Sequence, residues 1–300
     1  MYPSYIDLYQ TGKLNAIKEQ LTEILRSCIL CPRECRIDRI AGETGFCHTA
    51  HDAKISSAYL HFGEEPELVA AGGSGTLFFS YCNLGCVYCQ NYRLSHAGEG
   101  EAVSPSRLAQ MMIDLQHQGA QNINFVSPTH VIAQIIQALP QAIEAGLRIP
   151  LVYNCGGYES IATLKTIAGV FDLYMPDIKY FDDQAGFEYS GVSDYWEKAA
   201  CAVKEMYAQV EDLVIEDGRA RRGLLIRHLV LPGYVEDSYK ILDFIKDEIS
   251  QDTYVNIMDQ YYPCYLAGQY PRLSRRITHQ EYRRVIIRAQ KIGLHRGFNV

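Results

Sequence analysis

The sequence predicts an α/β fold, a partial (βα)6 parallel barrel with a small N-terminal Cys-rich metal-binding lobe ahead of it. Strand-like stretches at 76–81, 123–126, 150–154, 170–176, 224–231 and 254–258 alternate with helix-like ones, the pattern of parallel strands joined by right-handed crossovers. Six units rather than eight point to an open barrel. Seven of the ten cysteines lie between Cys28 and Cys89, and the first four of them set residues 1–73 apart from the barrel, residues 74–300.

Apolar positions at Ile17, Leu21, Ile24 and Leu25 give residues 15–26 one sticky helical face. Residues 53–70 read as short and extended with a turn at Gly63-Glu64-Glu65-Pro66, and Ala71-Gly72-Gly73-Ser74-Gly75 as a flexible link into the barrel. Ser104-Pro105 supplies the cap and first turn of a helix that carries Leu108, Met111, Met112 and Leu115 and stops near Gly119. Ile132, Ile135, Ile136 and Leu139 mark the next helix, which Pro140 is expected to kink or divide. A long helix covers 195–210, a polar hairpin turns at Glu216-Asp217-Gly218, and a further helix covers 239–249. Thr278 and Glu281 form a capping box that opens the last helix.

A chain of 300 residues is long enough to bury a substantial core. Its 28 basic against 35 acidic residues give a net charge of −7, which argues against a broad nucleic-acid-binding surface and leaves room for a local basic groove. The N-terminus lacks the basic start and apolar run of a secretory signal, and no stretch reaches the length of a membrane span. A cytoplasmic chain without a membrane partner is therefore expected, in which cysteines serve as metal ligands or buried thiols rather than disulfides. Cys201 and Cys264, standing alone, read as small buried hydrophobes.

At the end of the first barrel strand the chain reads Cys82-x3-Cys86-x2-Cys89, with Gly85 supplying the backbone freedom for a loop around a common centre. Soft thiolates select zinc, copper(I) or iron–sulfur clusters. Structural zinc wants four protein ligands, whereas a four-iron four-sulfur cluster held by three cysteines keeps one iron open. The alternatives are a zinc knuckle completed by a distant ligand, or a disulfide with a spare thiol. Upstream, Cys28, Cys31, Cys35 and Cys47 form a C-x2-C-x3-C-x11-C array whose ligand count fits zinc or a second, fully ligated iron–sulfur cluster. His48 and His51 are possible substitutes for one cysteine of this array.

The triad spacing, with the aromatic Tyr88 just before its last cysteine, resembles the cluster-binding signature of the radical S-adenosylmethionine superfamily. Gln90-Asn91 resembles its pyruvate formate-lyase activating-enzyme branch, and the N-terminal array an uncharacterised group within that branch. The resemblance implies a partial barrel, a 4Fe-4S cluster on Cys82, Cys86 and Cys89, and S-adenosylmethionine bound at it. In that chemistry one electron cleaves the S–C5′ bond, and the 5′-deoxyadenosyl radical abstracts a hydrogen atom. It further implies a flavodoxin- or ferredoxin-type electron donor and a protein or peptide substrate, a glycyl radical enzyme being the most specific version.

Ligands of parallel α/β folds gather where the strands end, and polar and glycine residues concentrate there in this sequence. Asp177-Ile178-Lys179, and Arg227 ahead of Leu231-Pro232-Gly233, match the activating-enzyme pattern. The match implies that Lys179 and Arg227 lie near the cofactor carboxylate or ribose and that Asp177 holds a lysine or a monovalent cation. Asn154-Cys155-Gly156-Gly157 resembles the third strand end only loosely, Asn154 and Cys155 standing where the family has an acidic residue and a threonine at the cation site. The Gly-Gly-Glu element that receives the cofactor amine is absent; Ser127-Pro128-Thr129-His130 stands there, and the Ser127 or Thr129 hydroxyl becomes the candidate acceptor. Tyr88, Ser127, Thr129, Asn154, Asp177, Lys179 and Arg227 thus form the expected cofactor-binding set. Two other functions fit the same residues: a peptide- or small-molecule-modifying enzyme with an auxiliary cluster, and a non-catalytic iron–sulfur sensor or electron carrier.

Overall fold

A computed structural model describes residues 3–298. The chain opens with α1 (Tyr5–Gln10) and α2 (Lys13–Ile24), followed by a cysteine-bearing loop without regular structure and then β1 (Ala53–His61). A four-residue helix, α3 (Pro66–Val69), leads into β2 (Ser74–Phe79), and α4 (Tyr92–Ser95) and β3 (Glu101–Val103) follow the second cysteine loop. Then come α5 (Pro105–His117), β4 (Ile123–Val126), α6 (Ile132–Glu144), β5 (Leu151–Cys155), α7 (Ile161–Thr166) and β6 (Leu173–Pro176). The last part holds α8 (Asp183–Ser190), α9 (Tyr195–Val210), β7 (Val214–Glu216), β8 (Arg219–Leu229), α10 (Val235–Phe244), β9 (Tyr254–Met258) and α11 (His279–Ile292).

Strands β2, β4, β5, β6, β8 and β9 pair in that order, each parallel to the next, as the alternation predicts. The sheet stays open: β1 extends it antiparallel to β2, β3 pairs β1, and among the described residues no pairing joins β9 back to β2. Ser104 Oγ accepts from Arg107 N–H to cap α5, and the Thr278–Glu281 box caps α11. Among the described residues no helix is long and apolar enough to cross a membrane.

Several local expectations change. The helix α6 runs unbroken through Pro140, because nine of its residues are buried against neighbouring elements and that packing outweighs one missing N–H. The stretch Ala71–Gly75 is no flexible link: β2 begins at Ser74, and a Cβ on Gly72 would lie 2.1 Å from the Gly119 carbonyl oxygen. The expected turn at Gly63–Pro66 continues into α3, whose Leu68 packs with Val152, Leu173, Met175 and Leu225 and closes the lower end of the barrel.

Alternation along each strand sorts the side chains. Tyr153, Tyr174 and Ile226 face the helix layer and join the main core, while Val152, Leu173, Met175 and Leu225 face the barrel interior. Two residues further along the inner rows stand Asn154, Asp177 and Arg227. Each inner row is therefore apolar at its foot and polar at its C-terminal end, so the polar groups meet at the mouth.

Candidate active site

The loop after β2 carries Cys82, Cys86 and Cys89 into a pocket that Ser127, Asn154, Cys155, Asp177, Lys179 and Arg227 also line. Each cysteine sulfur accepts one hydrogen bond. Cys82 takes the N–H of Leu84 (3.3 Å), Cys86 the hydroxyl of Ser190 (3.1 Å), and Cys89 the hydroxyl of Ser95 (3.1 Å). Burial pushes the Cys82 thiol up and the Cys89 thiol to about 11. Without a cation these groups stay protonated, and a bound soft metal would turn them into thiolates. All ten cysteines are free, so no disulfide competes for them. The donor set fits an iron–sulfur cluster: three sulfurs in one pocket, each held by a donor, and a polar space beside them.

Opposite the triad, Asp177 accepts from Lys179 Nζ (2.7 Å) and from Arg227 Nε (2.8 Å). Burial alone would push the Asp177 carboxyl up, but the two cations outweigh it and hold it at about 2. Arg227 also donates to Asn154 Oδ1 (2.9 Å) and pairs with Glu64 (3.4 Å). Burial is the largest single effect on Lys179 and Arg227 and pulls both down, but Asp177 together with Cys86 and the nearby tyrosines for Lys179, and with Glu64 and Glu65 for Arg227, outweighs it, so both are pushed up and stay charged. With Asp177 engaged by two side chains, a separate cation is not required to balance it.

Ser127 sits in the left-handed backbone region (φ 60°), and its N–H donates to the Asn154 carbonyl (2.9 Å). Among the described residues its hydroxyl has no partner. Thr129 lies off the pocket, buried, with its hydroxyl donating to Glu159 (2.7 Å). Tyr88 is also off the pocket, behind the triad, edge-on to Tyr180 and Tyr261 with centroids 6.3 and 6.0 Å away.

Cys28, Cys31, Cys35 and Cys47 line a second pocket together with Arg33, Arg39, Phe46, Asn83 and His130. Neither His48 nor His51 joins it; both are exposed. Both cysteine sets line their pockets rather than meeting at a point, and among the described residues no three His, Cys, Asp or Glu side chains are set to hold a single metal ion.

Sequence reasoning missed Ser95, Ser190, Tyr195 and Glu64. Tyr195 accepts from the Lys179 N–H (2.9 Å) and reaches the carbonyls of Gly156 (3.0 Å) and Asp177 (3.1 Å), tying two strand ends together. Ser190 ends α8, whose signals were the cap at Asp182, accepting from Gln184 N–H, and Gly191 at φ 63° after its last turn.

The fold and the site define an open parallel α/β barrel with a thiol-lined pocket at the C-terminal ends of its strands. The chain belongs to the family of the uncharacterised protein MJ0674 of Methanocaldococcus jannaschii, to which it is 30% identical over 281 residues, covering 90% of this chain and 76% of that protein. A second uncharacterised protein of the same organism, MJ0808, is 23% identical over 279 residues, covering 84% of this chain and 75% of the relative. No family model matches. Among solved structures, native anSMEcpe with bound AdoMet superposes at a TM-score of 0.48 with 12% identity over 71% of this chain. Streptococcus suis SuiB bound to the precursor peptide SuiA gives 0.48 with 15% identity over 70%. The chain spans 57% and 43% of the lengths of those two proteins.

Proposed function

We propose that this chain is a cytoplasmic radical S-adenosylmethionine enzyme that abstracts hydrogen from a protein or peptide, in the manner of a glycyl radical enzyme activase. The observation that supports it is the convergence of Cys82, Cys86 and Cys89 with Ser127, Asn154, Asp177, Lys179 and Arg227 in one pocket. Cys82, Cys86 and Cys89 would hold a 4Fe-4S cluster, which when bound would supply the single electron for reductive cleavage of S-adenosylmethionine, drawn from a flavodoxin- or ferredoxin-type donor.

The chain's own residues bind and orient. Lys179 and Arg227 present cationic donors to a carboxylate or ribose, and Asp177 fixes the direction in which they point. Two cations beside two carboxylates, Asp177 and Glu64, leave neither sign dominant, which suits a ligand carrying carboxylate, ammonium and sulfonium together. Of the two hydroxyls considered for the ammonium, Ser127 is the available one, since Thr129 is committed to Glu159. The Ser95 and Ser190 hydroxyls hold the sulfurs of Cys89 and Cys86, and the tyrosines behind Tyr88 exclude water from the rear of the triad.

A second reading, a peptide- or small-molecule-modifying enzyme with an auxiliary centre, is favoured by the second cysteine pocket, whose lining shares Asn83 with the triad loop. Protein reconstituted anaerobically with iron and sulfide, then given dithionite and S-adenosylmethionine, is expected to release 5′-deoxyadenosine. Cys86→Ala is expected to abolish that release, and persistent cleavage in this variant would end the assignment. A glycyl radical signal on a protein partner decides for activation over modification.

A further inference from the structure

We infer that the pocket of Cys28, Cys31, Cys35 and Cys47 takes a soft-metal thiolate centre of net negative charge, and that the buried Arg39 is its counter-charge. The inference rests on reading these four cysteines as metal ligands and goes beyond it in assigning Arg39, which the proposed reaction does not use.

Arg39 is fully buried, at 0% exposure, and lines the pocket beside all four thiols. Its Nε donates to the Ala50 carbonyl (3.0 Å), and its Nη1 donates to the His130 carbonyl (2.8 Å) and lies 3.8 Å from Cys28 Sγ. Among the described residues its Nη2 has no partner. Among the described residues no carboxylate stands within ion-pair distance of it. A guanidinium cannot shed its proton at any working pH. Burying it without an opposite charge is strongly unfavourable, and no carboxylate lines the pocket to supply one.

Metal binding supplies the charge. Four thiolates on a 4Fe-4S core in its usual 2+ state carry a net charge of −2, and so do four drawn together on a zinc ion, which, as they line the pocket, they are not yet placed to share. Nη2 then gains sulfur acceptors, and the long contact of Nη1 to Cys28 becomes charge-assisted. A second buried atom in the same pocket also lacks a partner among the described residues, Nδ1 of His130. The other ring nitrogen of His130 bonds the carbonyl of Ser80 (2.9 Å), two residues before Cys82. Arg39 and His130 therefore connect the N-terminal pocket to the strand that delivers the triad.

A purely structural arginine, holding only the Ala50 and His130 carbonyls, leaves Nη2 unexplained, and the two roles separate by experiment. In a chain with Cys82, Cys86 and Cys89 all replaced by Ala, retained metal reports on the N-terminal pocket alone, whatever the chain does with S-adenosylmethionine. Metal is expected to remain there and to be lost on adding Cys31→Ser, and elemental analysis with acid-labile sulfide tells zinc from an iron–sulfur cluster. An absence of metal overturns the reading of the four cysteines.

In that background Arg39→Met is expected to lose metal to a chelator roughly tenfold faster, and Arg39→Lys within about threefold of the parent, as for a charge-assisted contact. After metal is stripped, the sign of the stability effect reverses. Arg39→Met then resists urea better than the parent, because an uncompensated buried charge is gone, while with metal bound it resists less well. Unchanged chelator rates, a variant less stable in both states, or a variant that fails to fold without metal each overturn the role given to Arg39.

Discussion

Arg33, inside the first cysteine loop, donates from Nε to the carbonyl of Asn83, inside the second, at 3.0 Å. Its Nη2 donates to the carbonyls of Leu84 (3.0 Å) and Ser190 (2.9 Å), its Nη1 to that of Gly191 (3.0 Å), and its guanidinium lies 3.6 Å from the centre of the Phe46 ring. One side chain thus fastens both cysteine loops and the end of α8. Arg33→Ala is expected to lower stability by about 2–4 kcal/mol in urea denaturation, several charge-assisted bonds being lost together. It is also expected to reduce iron retained at the triad. Arg33→Lys should recover only part, since an ammonium on a single point cannot span four carbonyls.

Asp177 sets an acid limb. Its folded pKa of about 2 lies below the unfolded value near 3.9, so its contribution is fully present above about pH 4 and is lost as pH falls toward 2. Asp177→Asn leaves Lys179 and Arg227 with less opposite charge and is expected to cost on the order of 3 kcal/mol at pH 7, as for a broken buried pair. The gap between variant and parent should narrow as the pH falls from 4 to 2, measured by denaturant midpoints across that range. A constant gap would remove the ionic account.

Glu159 has the opposite sign. It is buried, accepts from Thr129 (2.7 Å) and Tyr153 (2.8 Å), and burial pushes its carboxyl up to about 7. Between the unfolded value near 4.3 and 7 the folded chain keeps a proton that the unfolded chain has lost. Stability should therefore fall with rising pH in that window, by at most about 1.4 kcal/mol per unit, and level off above it. Glu159→Gln should flatten this slope without changing the acid limb.

Gly157 stands at φ 81°, and a Cβ there would lie 2.4 Å from the Asp177 carbonyl oxygen. Gly157→Ala is expected to destabilise by about 2 kcal/mol or more and to weaken S-adenosylmethionine binding by calorimetry, since the backbone carrying Asp177 must move. Gly146 is the control, with φ 101° and no atom within 4 Å of where a Cβ would stand. Gly146→Ala should carry only the backbone cost, roughly 1 kcal/mol, and leave binding intact.

The strands and the polar ends of their inner rows were legible because alternation is a local pattern: Val152 and Asn154, or Leu225 and Arg227, fix a face within three residues. The residues that support the triad were not. Ser190 reaches Cys86 across 104 positions and Arg33 reaches Gly191 across 158, and no window of sequence records such a pairing. Glu64 was hidden differently. Its Gly-Glu-Glu-Pro setting reads as an exposed turn, but α3 folds the segment under the barrel, and Glu64 ends up pairing with Arg227. The proposed ammonium acceptor was half legible, since Ser127 and Thr129 look alike in sequence and only the pairing of Thr129 with Glu159 tells them apart.

The docking of the N-terminal segment has a consequence for synthesis. Ser4 bonds Asp172, the Tyr5 hydroxyl bonds the Ile149 carbonyl, Thr163 bonds the Leu30 carbonyl, and Arg33 bonds Gly191. Cysteines 28 to 47 thus leave the ribosome well ahead of residue 191, yet their surroundings are complete only after it has followed. During that interval the thiols are open to oxidants and to any soft metal present, so, on the reading of the four cysteines as ligands, the order of translation acts beside affinity in setting what the finished pocket would hold.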